Sequence, residues 1–86
     1  MPNMTFTEKA WSEYLEWQGD KTTLLRINAL IKDIQRTPFT GIGKPEPLKY
    51  GDAGNWSRRI NGTDRLVYRV SKEGILILQC KGHYDE

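Results

Sequence analysis

From Trp56 onward the chain alternates with a period of two. Trp56, Ile60, Leu66, Tyr68, Val70, Leu76 and Leu78 are all even-numbered, while Ser57, Arg59, Arg65, Arg69, Gln79, Lys81 and His83 are odd. Successive side chains alternate only along a strand, so this stretch must be a sheet with one apolar face and one basic face. Asn61-Gly62-Thr63 and Ser71 to Gly74 carry turn residues, and Asp52-Ala53-Gly54-Asn55 reads as a further turn. Short sequential strands, the first beginning at Leu48-Lys49-Tyr50 and the last running from Ile75 to Tyr84, make an antiparallel meander the economical topology. The three-residue loop 61–63 preserves parity and sets Arg59 opposite Arg65. Like charges directly opposite on a sheet are destabilising, so two arginines there predict a bound anion. Arg58 breaks the alternation and must snorkel, pair or mark a twist. Val67, Ile75 and Ile77 dilute the basic face.

Upstream the period changes. Met4-Thr5-Phe6 is short enough for an edge strand, and Thr7 can cap a helix with Glu8 in its first turn. Ala10, Trp11, Tyr14, Leu15 and Gln18 recur at helical spacing, and Gly19 is a natural stop. Trp11, Tyr14 and Trp17 suit a core or a partner surface at that spacing rather than base stacking. Asp20 caps a second helix. Leu24, Ile27, Ile31 and Ile34 form its apolar stripe, and Arg26, Lys32, Asp33, Gln35 and Arg36 take its other faces. Pro38 ends it. The expected fold is therefore α+β, with an antiparallel helical hairpin over about 7–37 packed on a mainly antiparallel twisted sheet over about 48–84. Eighty-six residues make a single domain.

Several function classes fall away on composition. No apolar run approaches the roughly 18–20 residues that cross a bilayer, and the start lacks a signal pattern. The single cysteine, Cys80, suits a reducing compartment, so a cytoplasmic location is expected. Residues 1–43 hold five Lys/Arg and five Asp/Glu, whereas 44–84 hold eight of the former against four of the latter. A basic C-terminal part on a neutral base suits a polyanion such as RNA.

The same part of the chain carries the chemistry. Two prolines flank Glu46 in Pro45-Glu46-Pro47 and restrict the backbone on both sides of its carboxylate. His83 is the only histidine, and Tyr84 follows it. One carboxylate, one imidazole, one phenol and several guanidinium groups suit phosphodiester transfer without a metal. A base takes the 2′-hydroxyl proton, cations hold the phosphorane charge, and an acid protonates the leaving oxygen. Arginine matches two phosphate oxygens at once. No metal-ligand spacing, Gly-rich phosphate loop or Ser-His-Asp set is apparent, so no cofactor is expected.

The strings "WSEYLEWQ", "INALIKDIQRTPFTGIGKPEPLK", "WSRRI", "DRLVYRV" and the closing "CKGHY" give the chain a resemblance. It resembles the YoeB toxins, within the RelE-like toxin–antitoxin ribonucleases, over nearly all of Trp11 to Tyr84. The resemblance implies a microbial-ribonuclease-like fold and a cytoplasmic endoribonuclease that cuts mRNA in the ribosomal A site. It also implies neutralisation by a YefM-like antitoxin, with operator DNA reached only through that partner, no membrane association, and homodimerisation left open. Carried over residue by residue, it makes Glu46 the general base, His83 the general acid and Arg65 the transition-state cation. Tyr84 would orient substrate, and Lys49 and Arg59 would bind phosphate. The chain departs from the family pattern before Trp11. It also departs at its end, where Asp85 and Glu86 add two negative charges beside the expected RNA site. Two other classes share the features in part. A ParE-like gyrase poison would not need Glu46, His83 and Tyr84, and a plain RNA-binding module would retain RNA without cutting it.

Overall fold

A computed structural model describes residues 2–49 and 54–83. The order is β1 (Met4–Phe6), α1 (Glu8–Glu16), a 3₁₀ turn (Trp17–Gly19), α2 (Lys21–Arg36), β2 (Glu46–Pro47), β3 (Asn55–Arg59), β4 (Arg65–Ser71) and β5 (Gly74–Gln79). The helices start where their caps are. Thr7 Oγ1 accepts the Ala10 N–H at 3.1 Å, and Asp20 Oδ1 accepts the Thr23 N–H at 3.1 Å, each satisfying an amide that has no partner within its helix. α2 stops at Arg36, two residues before Pro38, as expected from the restriction proline places on its predecessor.

The sheet has the order β1-β5-β4-β3-β2. β2 to β5 form the expected antiparallel meander, and β1 is an edge strand running parallel to β5. The first strand of the meander begins earlier than the sequence suggests. It holds Glu46 and Pro47 rather than starting at Leu48, so the proline-flanked carboxylate belongs to the sheet.

Ala10 of α1 and Ile27, Leu30 and Ile34 of α2 pack on Ile60, Leu66, Tyr68, Ile75, Ile77 and Cys80. The even residues of β3 and β4 face the helices as expected, but β5 reverses the assignment. Ile75 and Ile77 lie in the core, while Leu76 and Leu78 are half-buried. The cause is the two-residue turn Lys72-Glu73, which pairs Ser71 with Gly74 and so joins odd positions to even ones. Gly74 takes φ +132° there, and a side chain at that point would collide with the carbonyl of Asn3, just before β1. A bulge then restores parity. Tyr68 pairs with Ile77 but Val67 with Gln79, leaving Leu78 as the extra residue. Beyond it Gln79 lies on the basic face and Cys80 in the core. The last strand ends at Gln79 and does not reach Tyr84, which falls outside the described residues, as do Tyr50 and the Asp52-Ala53 half of the expected turn. Among the described residues, no helix is long and apolar enough to cross a membrane.

Candidate active site

Arg59 and Arg65 are register partners across β3 and β4, on the face away from the helices. Arg65 folds back over its own loop, its Nη1 donating to the carbonyls of Asn61 at 2.8 Å and Asp64 at 3.1 Å. Among the described residues, no carboxylate forms an ion pair with either arginine. Two cations side by side with no acid between them repel unless an anion sits over both. Ser57 and Val67 form the next pair on that face, both buried, and Glu46 is the register partner of Ser57 on β2. Glu46 thus lies one strand beyond the arginine pair, half-buried. At a strand spacing of ~4.8 Å, its backbone and that of β4 stand roughly 10 Å apart, with Arg59 on the strand between.

Glu46 is held by more than its prolines. Arg58 points to the helix side of β3 and is completely buried. Its guanidinium forms an ion pair with Asp33, donates from Nη2 to the carbonyls of Thr37 at 2.7 Å and Thr40 at 3.0 Å, and donates from Nη1 to that of Ile42 at 3.0 Å. Its Nε donates to the Tyr68 hydroxyl at 3.2 Å, and that hydroxyl donates to the Pro38 carbonyl at 2.6 Å. Asp33 also accepts the Ile42 N–H and pairs with Arg36. The loop leaving α2 is therefore gripped at residues 37, 38, 40 and 42. The Gly43 carbonyl then accepts the Arg59 N–H at 2.7 Å, and the chain enters β2 at Glu46. The hydrogen bonds from Arg36, then from Arg58, then from the Ile42 amide hold the Asp33 carboxyl down to about 2. Asp33 was expected on a face of α2 away from its apolar stripe; it is in fact buried, the counter-charge of Arg58. Gly41 is required by this packing, because a Cβ there would overlap the Asp33 carboxylate.

The tail that leads to His83 runs along the β4 side of the sheet. Gly82 donates its N–H to Asp64 Oδ1 at 2.7 Å and accepts the Arg65 N–H at 3.0 Å, so the tail runs beside the start of β4. His83, the next residue, is exposed. Lys49 is exposed just past β2. The fold thus gathers Glu46, Arg59 and Arg65 on one sheet face and leads the chain to His83 at its margin. The expected roles of Tyr84 and of the Asp85-Glu86 extension fall on residues outside the described set. A surface hollow of about 690 Å³ against α2, near Ala29, Gln35 and Ile42, includes none of these side chains. An open basic face of this kind suits a polymer running across it better than a small enclosed ligand. Among the described residues, no group of three His, Cys, Asp or Glu side chains is placed to hold a metal ion.

The family profile described as "YoeB-like toxin of bacterial type II toxin-antitoxin system" matches residues 6–84. The chain belongs to the YoeB toxin family. It is 55% identical over 83 residues to Toxin YoeB of Synechocystis, covering 95% of this chain and 96% of that one. The structure of a YoeB dimer from Staphylococcus aureus superposes with a TM-score of 0.90 at 46% identity, covering 96% of this chain and 98% of that one. A YoeB–YefM complex from the same organism gives a TM-score of 0.87 at 44% identity, covering 98% and 99%. The YoeB assignment makes the chain a bacterial toxin of a type II toxin–antitoxin system, and its helical hairpin and five-stranded sheet are those of the family.

Sequence reasoning missed the Arg58–Asp33–Tyr68 cluster and the residues that hold the tail. Arg58 signalled itself by breaking the alternation. Glu13 and Trp17, which bond to Cys80, gave no such signal.

Proposed function

We propose that this toxin is a metal-independent endoribonuclease that cuts mRNA in the ribosomal A site and so stops translation. The observation that carries the reading is the Arg59–Arg65 register pair on the sheet face away from the helices, with no described carboxylate paired to either and Glu46 on the neighbouring strand. In the proposed reaction Glu46 removes the proton of a ribose 2′-hydroxyl, and that oxygen attacks the adjacent phosphorus. Arg65, with Arg59 and Lys49, balances the negative charge of the phosphorane. The P–O5′ bond breaks, and His83 gives its proton to the departing 5′ oxygen. Tyr84 orients the substrate. The products are a 2′,3′-cyclic phosphate, or the 3′-phosphate from its hydrolysis, and a free 5′-hydroxyl. An 86-residue domain with a shallow basic face has little means of bending mRNA into line by itself. Positioning by the ribosome supplies that geometry.

The test is single-turnover cleavage of a programmed ribosome, with product ends read by mass. The expected result is 5′-hydroxyl ends, cutting that persists in EDTA while the ribosomes stay intact, and no cutting at a 2′-deoxy scissile nucleotide. Normal cutting of the 2′-deoxy substrate, or 5′-phosphate ends, would show that the nucleophile is a different one. Rapid site-specific cutting of short free RNA would remove the ribosome from the reading.

Its partner, by analogy with the S. aureus YoeB–YefM complex, is a YefM-like antitoxin, through which alone it meets operator DNA, and a cytoplasmic homodimer follows the S. aureus dimer. An acidic segment of that antitoxin covers Arg59 and Arg65 and so excludes mRNA. Changing both arginines to glutamate should weaken complex formation strongly in a titration at moderate salt. An unchanged affinity would move the antitoxin to another surface.

A further inference from the structure

β5 ends at Gln79, four residues before His83, so no sheet ladder places the histidine. A chain end beyond its last strand is normally loosely ordered unless it is tied down. Here it is tied from two sides. On one side Gly82 is bonded to Asp64 and to the Arg65 amide, and Gln79 Nε2 donates to the Gly82 carbonyl at 3.2 Å. On the other side the contacts come from α1 and the turn after it. Glu13 Oε1 accepts the Cys80 N–H at 2.9 Å, and Trp17 Nε1 donates to the Cys80 carbonyl at 2.9 Å. Lys81 pairs with Glu16 at 2.7 Å and stands 5.4 Å from the centre of the Trp17 ring. Lys9 occupies the second oxygen of Glu13 at 2.6 Å, which orients the carboxylate toward the tail.

Both polar groups of the Cys80 peptide that face α1 are therefore satisfied by side chains more than 60 positions earlier in the chain. These partners are half-buried, and the Trp17 ring packs against the core while its N–H reaches the tail. Cys80 itself is buried, its thiol donating to the Ala10 carbonyl at 3.4 Å, and that packing would hold its side chain without the indole N–H or the Glu13 carboxylate. What the two bonds add is a fixed direction for the backbone that carries His83. We propose that Glu13 and Trp17 are positioning residues for His83, acting through the Cys80 backbone, so that the helical hairpin sets the aim of the general acid. This rests on His83 being the acid of the proposed cleavage. It assigns to α1 and the turn after it a part in the reaction beyond support of the sheet.

The test uses the full-length toxin in the programmed-ribosome assay. Trp17→Phe removes the donor and keeps an aromatic ring, though a smaller one, and the melting curves register the packing it gives up. Glu13→Ala removes the acceptor, and Glu13→Gln keeps one. Trp17→Phe and Glu13→Ala should each lower the saturating single-turnover rate roughly tenfold with half-saturation unchanged, since a small misplacement of a reacting group is costly. Glu13→Gln should recover most of the loss. In a His83→Gln background Trp17→Phe should cost nothing further, because the group it aims is gone. An equal loss in both backgrounds, a loss seen only as weaker half-saturation, or no loss at all would overturn the inference. Melting curves accompany each variant, and a rate loss that tracks a large fall in Tm would overturn it too. His83→Gln alone separates the two ideas. If it leaves the rate intact, the acid assignment fails; if it lowers the rate while Trp17→Phe does not, only the role of α1 fails.

Discussion

Replacing Arg58 by alanine should lower the unfolding free energy by about 3–5 kcal/mol, the cost of removing one partner from a buried ion pair. The argument is the count of groups stranded. Arg58 is fully buried and serves Asp33, three loop carbonyls and the Tyr68 hydroxyl. Its loss leaves the buried Asp33 carboxylate with only Arg36 and the Ile42 amide, and leaves the carbonyls of Thr37, Thr40 and Ile42 without that donor. Arg58→Lys should recover only part of this, because a single ammonium cannot reach five acceptors held in a fork. Equilibrium denaturant unfolding checks both, and a change below about 1 kcal/mol for Arg58→Ala would mean that the loop finds another anchor. The pair also sets an acid limit. The folded-state Asp33 carboxyl is held at about 2 against an ordinary 3.8, so its contribution to stability is complete above 3.8 and is lost as pH falls through about 2. Asp33→Asn should remove this component from the acid side of the stability profile.

Arg58 also shows where reading the sequence stops. Its position broke the alternation, and that was visible. What it paired with was not, because Asp33 lies 25 residues away on a helix where it passed for a surface acid. The features that were legible are those encoded by neighbours: the caps at Thr7 and Asp20, the stop before Pro38, and the odd loop that sets Arg59 against Arg65. β5 was misread because parity does not survive a two-residue turn. The error was then corrected by a bulge at Leu78 that no local signal announces. Glu46 drew attention through its prolines, yet its place in the sheet depends on the Gly43–Arg59 backbone bond and on the Arg58 grip, both set by the tertiary fold. The tail is the extreme case. "CKGHY" fixed the resemblance, while the groups that hold it, Glu13 and Trp17, read as ordinary helix residues.

Glu46→Gln, Arg65→Ala and His83→Gln should each lower the single-turnover rate of cleavage by on the order of a hundredfold or more while leaving the fold intact. Each is chosen for where it sits. Glu46 is half-buried, and among the described residues no ion pair or hydrogen bond engages its side chain, so glutamine there changes proton exchange without breaking a contact; His83 is exposed, and glutamine there removes a proton donor outside the core. Arg65 loses two bonds to carbonyls of its own loop, a local change beside Asn61, whose side chain still caps the turn through Thr63 and Asp64. The three should not be additive. Once the base is absent the attack is slow, and a missing acid at the other end of the same step then costs less than it does alone. Lys49→Ala and Arg59→Ala should instead weaken half-saturation more than they lower the saturating rate, since the part proposed for them is to hold phosphate rather than to transfer a proton. If Glu46→Gln and His83→Gln cut at the normal rate while Arg59→Ala abolishes cutting, the face binds RNA as proposed, but the proton transfers belong to other groups, and the ribosome itself becomes the first place to seek them.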